Sequence, residues 1–126
     1  MARMNTDLVS ISTQKSLRQI RLDVERAADS LRAHIDEEDF SPYIEYRMYT
    51  PDFTTVLTGP NFILGGPRRW GVQIMVKDRG DRREVDLVAV GDTTMGKISF
   101  GSFGNPFYQL GDSKKRRDVI LGFLER

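Results

Sequence analysis

The chain has no cysteine and only one histidine, His34, among its 126 residues. The first absence removes disulfides, thiolate nucleophiles and every cysteine-based zinc site together. The second leaves little material for histidine-rich metal centres. Long apolar runs are missing too. No segment approaches the roughly 18 to 20 residues of a membrane-spanning helix, and the opening MARMNTDLVSIST lacks the apolar block of a secretion signal. The expectation is a protein with no membrane contact that works in the cytoplasm. Excess charge of either sign is also lacking: the formal net charge is +1, which argues against a protein devoted to a polyanion.

What is present is an ordinary folding composition. Hydrophobic residues make up 39% and charged residues 29%, enough apolar surface for one core without a metal or disulfide staple. A single α+β domain is expected over residues 13–126, preceded by a flexible N-terminus at 1–12. The charge is unevenly spread. Residues 1–67 carry seven basic and ten acidic side chains, whereas 68–126 carry twelve and eight.

Periodicity gives the elements. Leu17, Ile20, Val24, Ala28, Leu31 and Ile35 recur at intervals of three and four, the spacing of one helix face. The helix is expected from Thr13 or Ser12, as N-cap, to about Ile35. From 43 onward the period changes to two. Strands are read at 43–49, 53–58, 70–77, 84–90 and 97–103, with a brief extended piece at 62–64. Trp70, Val72, Ile74 and Val76 fall on one face, and Asp78-Arg79-Gly80-Asp81 forms a hairpin turn whose tip, 78–83, is expected to tolerate substitution. A last helix is read from Asp112 or Ser113 as cap, with Val119, Ile120, Phe123 and Leu124 as its apolar stripe. The fold expected is an N-terminal helix, about five mostly antiparallel strands and a C-terminal helix, with both helices on one sheet face.

Several stretches resemble chemical motifs and fall short of them. Gly91-Asp92-Thr93-Thr94-Met95-Gly96-Lys97-Ile98 has the glycine and lysine spacing of a phosphate loop, but Ile98 stands where a metal-binding hydroxyl is required, and the following residues read as strand rather than helix. His34 is placed in the last turn of the first helix, where a cation suits the dipole, and no nucleophile elbow accompanies it. The acidic run 36–39 lacks the spacing and glycine of a calcium loop. Neither a catalytic set, a metal site nor a cofactor is expected.

Basic residues remain. GGPRRWGVQI at 65–74 sets Arg68 and Arg69 before the only tryptophan, and Lys114, Lys115, Arg116 and Arg117 stand at the expected start of the last helix. Cations around free helix N–H groups would enlarge an anion site. These six residues are therefore the candidate binding residues for nucleic acid or a phosphorylated ligand. The leading expectation is different: a non-catalytic protein-interaction module (an adaptor, inhibitor, immunity-type or assembly factor), homo-oligomeric through the first helix, with a nucleic-acid or nucleotide binder as the alternative. It rests on the missing catalytic set and on Tyr43, Tyr46 and Tyr49, which must divide between both faces of one strand.

Overall fold

A hairpin anchors the architecture. In the computed structural model, which describes residues 4–36, 50–59, 69–92 and 109–126, strand β4 (Trp70–Asp78) turns back into β5 (Arg83–Asp92). Arg79 N–H donates to Arg82 O at 2.8 Å across the tip. Gly80 has φ 95°, the positive angle a type II′ turn needs at its first central residue. Ahead of the hairpin run β1 (Met4–Thr13), helix α1 (Leu17–Leu31), β2 (His34–Asp36) and β3 (Phe53–Gly59); helix α2 (Leu110–Leu124) follows it. The five strands make one antiparallel sheet in the order β1-β5-β4-β3-β2.

Parity along the strands decides what is buried where. Trp70, Val72, Ile74 and Val76 share a face with Leu57 of β3 and with Val85 and Leu87 of β5, and this face packs with Ile20, Val24, Ala27 and Ala28 of α1 and Ile120 and Leu124 of α2. The chain is thus the α+β domain that the alternating pattern implied, with the helices on one face of the sheet. The opposite face of the central strands, with Val56, Gln73, Met75, Val88 and Val90, is buried as well.

Helix α1 starts at a full capping box: the Ser16 hydroxyl accepts from Gln19 N, and Ser16 N donates to the Gln19 side chain. It ends at Arg32, which adopts the left-handed conformation at φ 53° and ψ 42°. There Ala33 N donates to Ala28 O at 2.9 Å and Arg32 N to Asp29 O at 3.2 Å, the bond pair of a Schellman end. The expected extension to Ile35 is therefore corrected. His34 and Ile35 leave the helix axis and pair with Thr58 and Leu57 in β2, so His34 does not sit at a helix C-terminus. Thr13 is likewise the last residue of β1 and not a cap.

The largest correction is at the N-terminus. Within the stretch expected to be flexible, Met4 onward forms a ten-residue strand in unbroken register with β5, from Met4 opposite Asp92 to Thr13 opposite Arg83. Among the described residues the sheet has five strands: β1 and β2, which the periodicity did not mark, join β3, β4 and β5, which it did. The strands read at 43–49 and 97–103, the piece at 62–64, Tyr43, Tyr46, Tyr49, Arg68 and most of the phosphate-loop resemblance lie outside the described residues.

One side chain ties the N-terminal strand to the hairpin. Arg83 Nε donates to Lys15 O at 2.7 Å and Nη2 to Gln14 O at 2.6 Å, while Nη1 reaches Asp78 Oδ1 and Gly80 O, each at 3.3 Å. The tip 78–83 is therefore not uniformly permissive: Asp81 is exposed, but Arg83 closes the β1–α1 connection.

Candidate interaction surface

The basic run of α2 is divided by helix geometry. Four consecutive residues at 100° intervals project around most of the circumference, and here each takes its own environment. Lys114 Nζ lies 3.2 Å from Asp7 Oδ2 of β1. Arg117, a full turn further on relative to Ser113, is buried; its Nη1 is 3.0 Å from both Asp7 Oδ1 and Asp7 O, and its Nη2 3.3 Å from Asp118 Oδ1. Arg116 turns the other way, pairs with Asp112 at 3.7 Å and places its guanidinium 5.7 Å from the Trp70 ring centre. Lys115 is exposed on the outer side. The helix also begins earlier than the cap signals implied: its N-cap is Gln109, with no side-chain cap bond. The cations therefore stand in the second turn and beyond, away from the free N–H groups of the first.

Arg69 lies at the start of the same helix. Its N–H donates to Gly59 O at 2.9 Å and its carbonyl accepts from Gln109 N at 2.8 Å, so its backbone staples β3, β4 and the start of α2 together. Arg116 thus stands beside Trp70, with the Arg69 backbone at the start of the helix, while Lys114 and Arg117 gather at β1. The two groups are pulled to different sides of α2, and three of the four cations of the run are ion-paired within the chain.

The pairing at β1 has an electrostatic signature. The hydrogen bond from Lys114, aided by Arg117, holds the Asp7 carboxyl below the usual carboxylate range against a smaller opposing effect of desolvation. Asp7 is the only charged residue in β1, and its charge is neutralised inside its own chain.

Ser113, read as a cap, is fully buried instead. Its hydroxyl accepts from Gly71 N at 3.0 Å and donates to Val90 O at 2.7 Å. Gly71 and Val90 are register partners on β4 and β5, so the hydroxyl can bridge them only because those two backbone groups face one another. Gly91 beside it is a close-approach glycine: a Cβ there would lie 2.7 Å from both the Cβ and the backbone N of Leu110. That packing accounts for the first glycine of the phosphate-loop resemblance.

The bridge fixes the direction of every backbone group nearby. N–H and C=O groups alternate sides along a strand. If Val90 points at β4, then Leu87 and Ala89 point at β1, and their partners Val9 and Asp7 point back at β5. The closing bond from Arg79 N to Arg82 O has the same parity. Thr6, Leu8, Ser10 and Ser12 consequently direct their N–H and C=O groups away from the sheet, at its edge. The side chains of these four are exposed, Leu8 at 57%.

Among the described strands, the two at the ends of the sheet order differ. β2 is three residues long, and short edge strands are self-limiting. β1 is ten residues, MNTDLVSIST, with no proline, glycine, lysine or arginine. Sequence reading missed it because an N-terminal position suggested a tail, although Val9, Ile11 and Thr13 alternate with serines in strand fashion. The first helix, by contrast, does not offer the free stripe expected of it: Ile20, Val24, Ala27 and Ala28 are buried in the chain's own core, with Leu17 and Leu31 packed against it.

Among the described residues no group of three or more His, Asp or Glu side chains is placed to hold a metal ion, and no helix is long and apolar enough to cross a membrane. The chain matches no protein-family model and no curated protein sequence.

Proposed function

We propose that the chain is a non-catalytic protein-interaction module whose contact element is the edge strand β1. The observation that carries this reading is the exposed row Thr6, Leu8, Ser10 and Ser12, with its outward backbone groups on a ten-residue strand that bears no blocking residue. Addition of a strand to such an edge draws affinity from main-chain hydrogen bonds and specificity from alternate side chains. The nucleic-acid alternative is less well supported: Lys114, Arg116 and Arg117 are engaged by Asp7 and Asp112, and each such pair would have to open before a phosphate could be bound.

The test compares the wild-type chain with Leu8→Lys and with a triple glutamine variant at Arg69, Lys115 and Arg116, which leaves the Lys114–Asp7 pair intact. Capture of a stoichiometric protein partner by the wild type and the glutamine variant, but not by Leu8→Lys, supports the reading. Salt-sensitive oligonucleotide binding that only the glutamine variant loses overturns it in favour of the nucleic-acid reading.

A further inference from the structure

We infer that the partner β1 fits best is a second copy of itself, paired antiparallel about a twofold axis to give one continuous ten-stranded sheet. This rests on the reading of β1 as the contact element and goes beyond it by naming the occupant and its register.

Antiparallel pairing of one edge with its own copy is self-complementary by symmetry: whatever residue i meets in the partner, that partner residue meets i. The four outward residues restrict the register. The four pair exclusively with one another only if Thr6 faces Ser12 and Leu8 faces Ser10 of the other copy, which puts the twofold axis at Val9 and is the register taken here. Each such hydrogen-bonded pair exchanges two main-chain bonds, about eight in all, within the roughly ten, give or take five, found in specific interfaces.

The side chains agree with that register. On the face away from the helices, Leu8 lies against Ser10 of the copy, beside its own register partner Val88, so the most exposed leucine among the described residues gains cover. On the helix-bearing face, Val9 meets its own copy, and Asp7 is set opposite Ile11. Like-charge repulsion at an edge is the usual barrier to self-pairing. Here it is absent, since the sole charge of β1 is held by Lys114 and Arg117 of its own chain. α1 and α2 do not intervene on the face that carries Leu8, because both pack with the other one. β2, three residues long, could offer no comparable ladder.

The native chain contains no cysteine, which makes the register directly testable. In the hydrogen-bonded pair of positions 8 and 10 the Cα atoms lie about 5.5 Å apart, inside the range a disulfide accepts. Leu8→Cys and Ser10→Cys chains are prepared separately, mixed and mildly oxidised, and unmodified protein is weighed by light scattering up to roughly 200 μM. The expected result is a wild-type mass near twice the 14.4 kDa chain, a cross-linked species enriched severalfold in the mixture over either variant alone, and a monomeric Leu8→Lys chain with unchanged circular dichroism. A wild-type chain that stays monomeric throughout overturns self-pairing. So does a dimer that persists in Leu8→Lys and yields no cross-link between positions 8 and 10. A monomeric wild type that still captures a different protein through Leu8 overturns the self-pairing alone and leaves the interaction-module reading standing.

Discussion

Removing the hydroxyl of Ser113 separates the two roles this residue could have. As a helix cap, Ser113→Ala would cost about 1 kcal/mol. As the bridge seen here, it leaves Gly71 N–H and Val90 C=O without that partner, in a site from which solvent is excluded. An orphaned buried group costs about 1 to 3 kcal/mol. With two affected and some relaxation of the strands, a loss of about 2 to 4 kcal/mol is expected. Urea denaturation followed by circular dichroism measures it, provided the m-value is unchanged. Amide exchange adds a local readout: the Gly71 amide should lose protection more than its neighbours in β4. Gln109→Ser is the control, because Gln109 is the N-cap and makes no side-chain cap bond; a cap introduced there should stabilise by up to about 1 kcal/mol. A Ser113→Ala cost below about 1 kcal/mol, together with no gain from Gln109→Ser, would refute the bridge and restore the cap.

Other perturbations test other joints of the fold. Gly91→Ala forces a methyl against the Leu110 backbone and should destabilise by about 1 to 3 kcal/mol as overpacking does, measurable in the same denaturation experiment. Arg83→Ala removes the clamp on Gln14 and Lys15 and should cost about 1 to 3 kcal/mol, whereas Asp81→Ala at the exposed tip should stay within about 0.5 kcal/mol; equal midpoints for the two would mean that Arg83 closes nothing. Asp7 and Asp78 both have lowered folded-state pKa values, the first chiefly through Lys114 and the second chiefly through the Gly80 N–H, with Arg83 adding to it. Their contribution to stability is therefore fully present above the ordinary carboxylate pKa and disappears as pH falls through the lowered folded values. Carbon-detected NMR titration should place both carboxyls below ordinary aspartate, and Lys114→Gln should move Asp7 back up while leaving Asp78 in place.

Local chemistry settled part of this protein before any tertiary information was needed. Period-two alternation put Trp70, Val72, Ile74 and Val76 on the core face because side-chain direction in a strand depends only on parity. Gly80 marked the hairpin because few other residues accept its φ of 95°. The stripe on α1 was legible from Leu17 to Leu31, and the existence of the C-terminal helix from its apolar spacing. Where the sequence misled, the deciding interaction was remote in the chain. The usual stop signal after a helix is glycine, yet α1 ends on a left-handed arginine, so the periodicity ran on into Ile35, which β3 had claimed through Leu57. β1 looked like a tail because its stabilising partner, β5, stands some eighty residues away. Ser113 carried a cap signature, but its hydroxyl answered two backbone groups on strands that only the folded sheet brings together. The run 114–117 read as one cationic patch along the chain; rotation about the helix axis and the position of Asp7 split it into an internal clamp, an aromatic contact and one outward lysine. Composition and period determine which residues seek burial and in what local geometry. Which of the described strands stands at the margin of the sheet, and which charges hold it there, is decided by the long-range register.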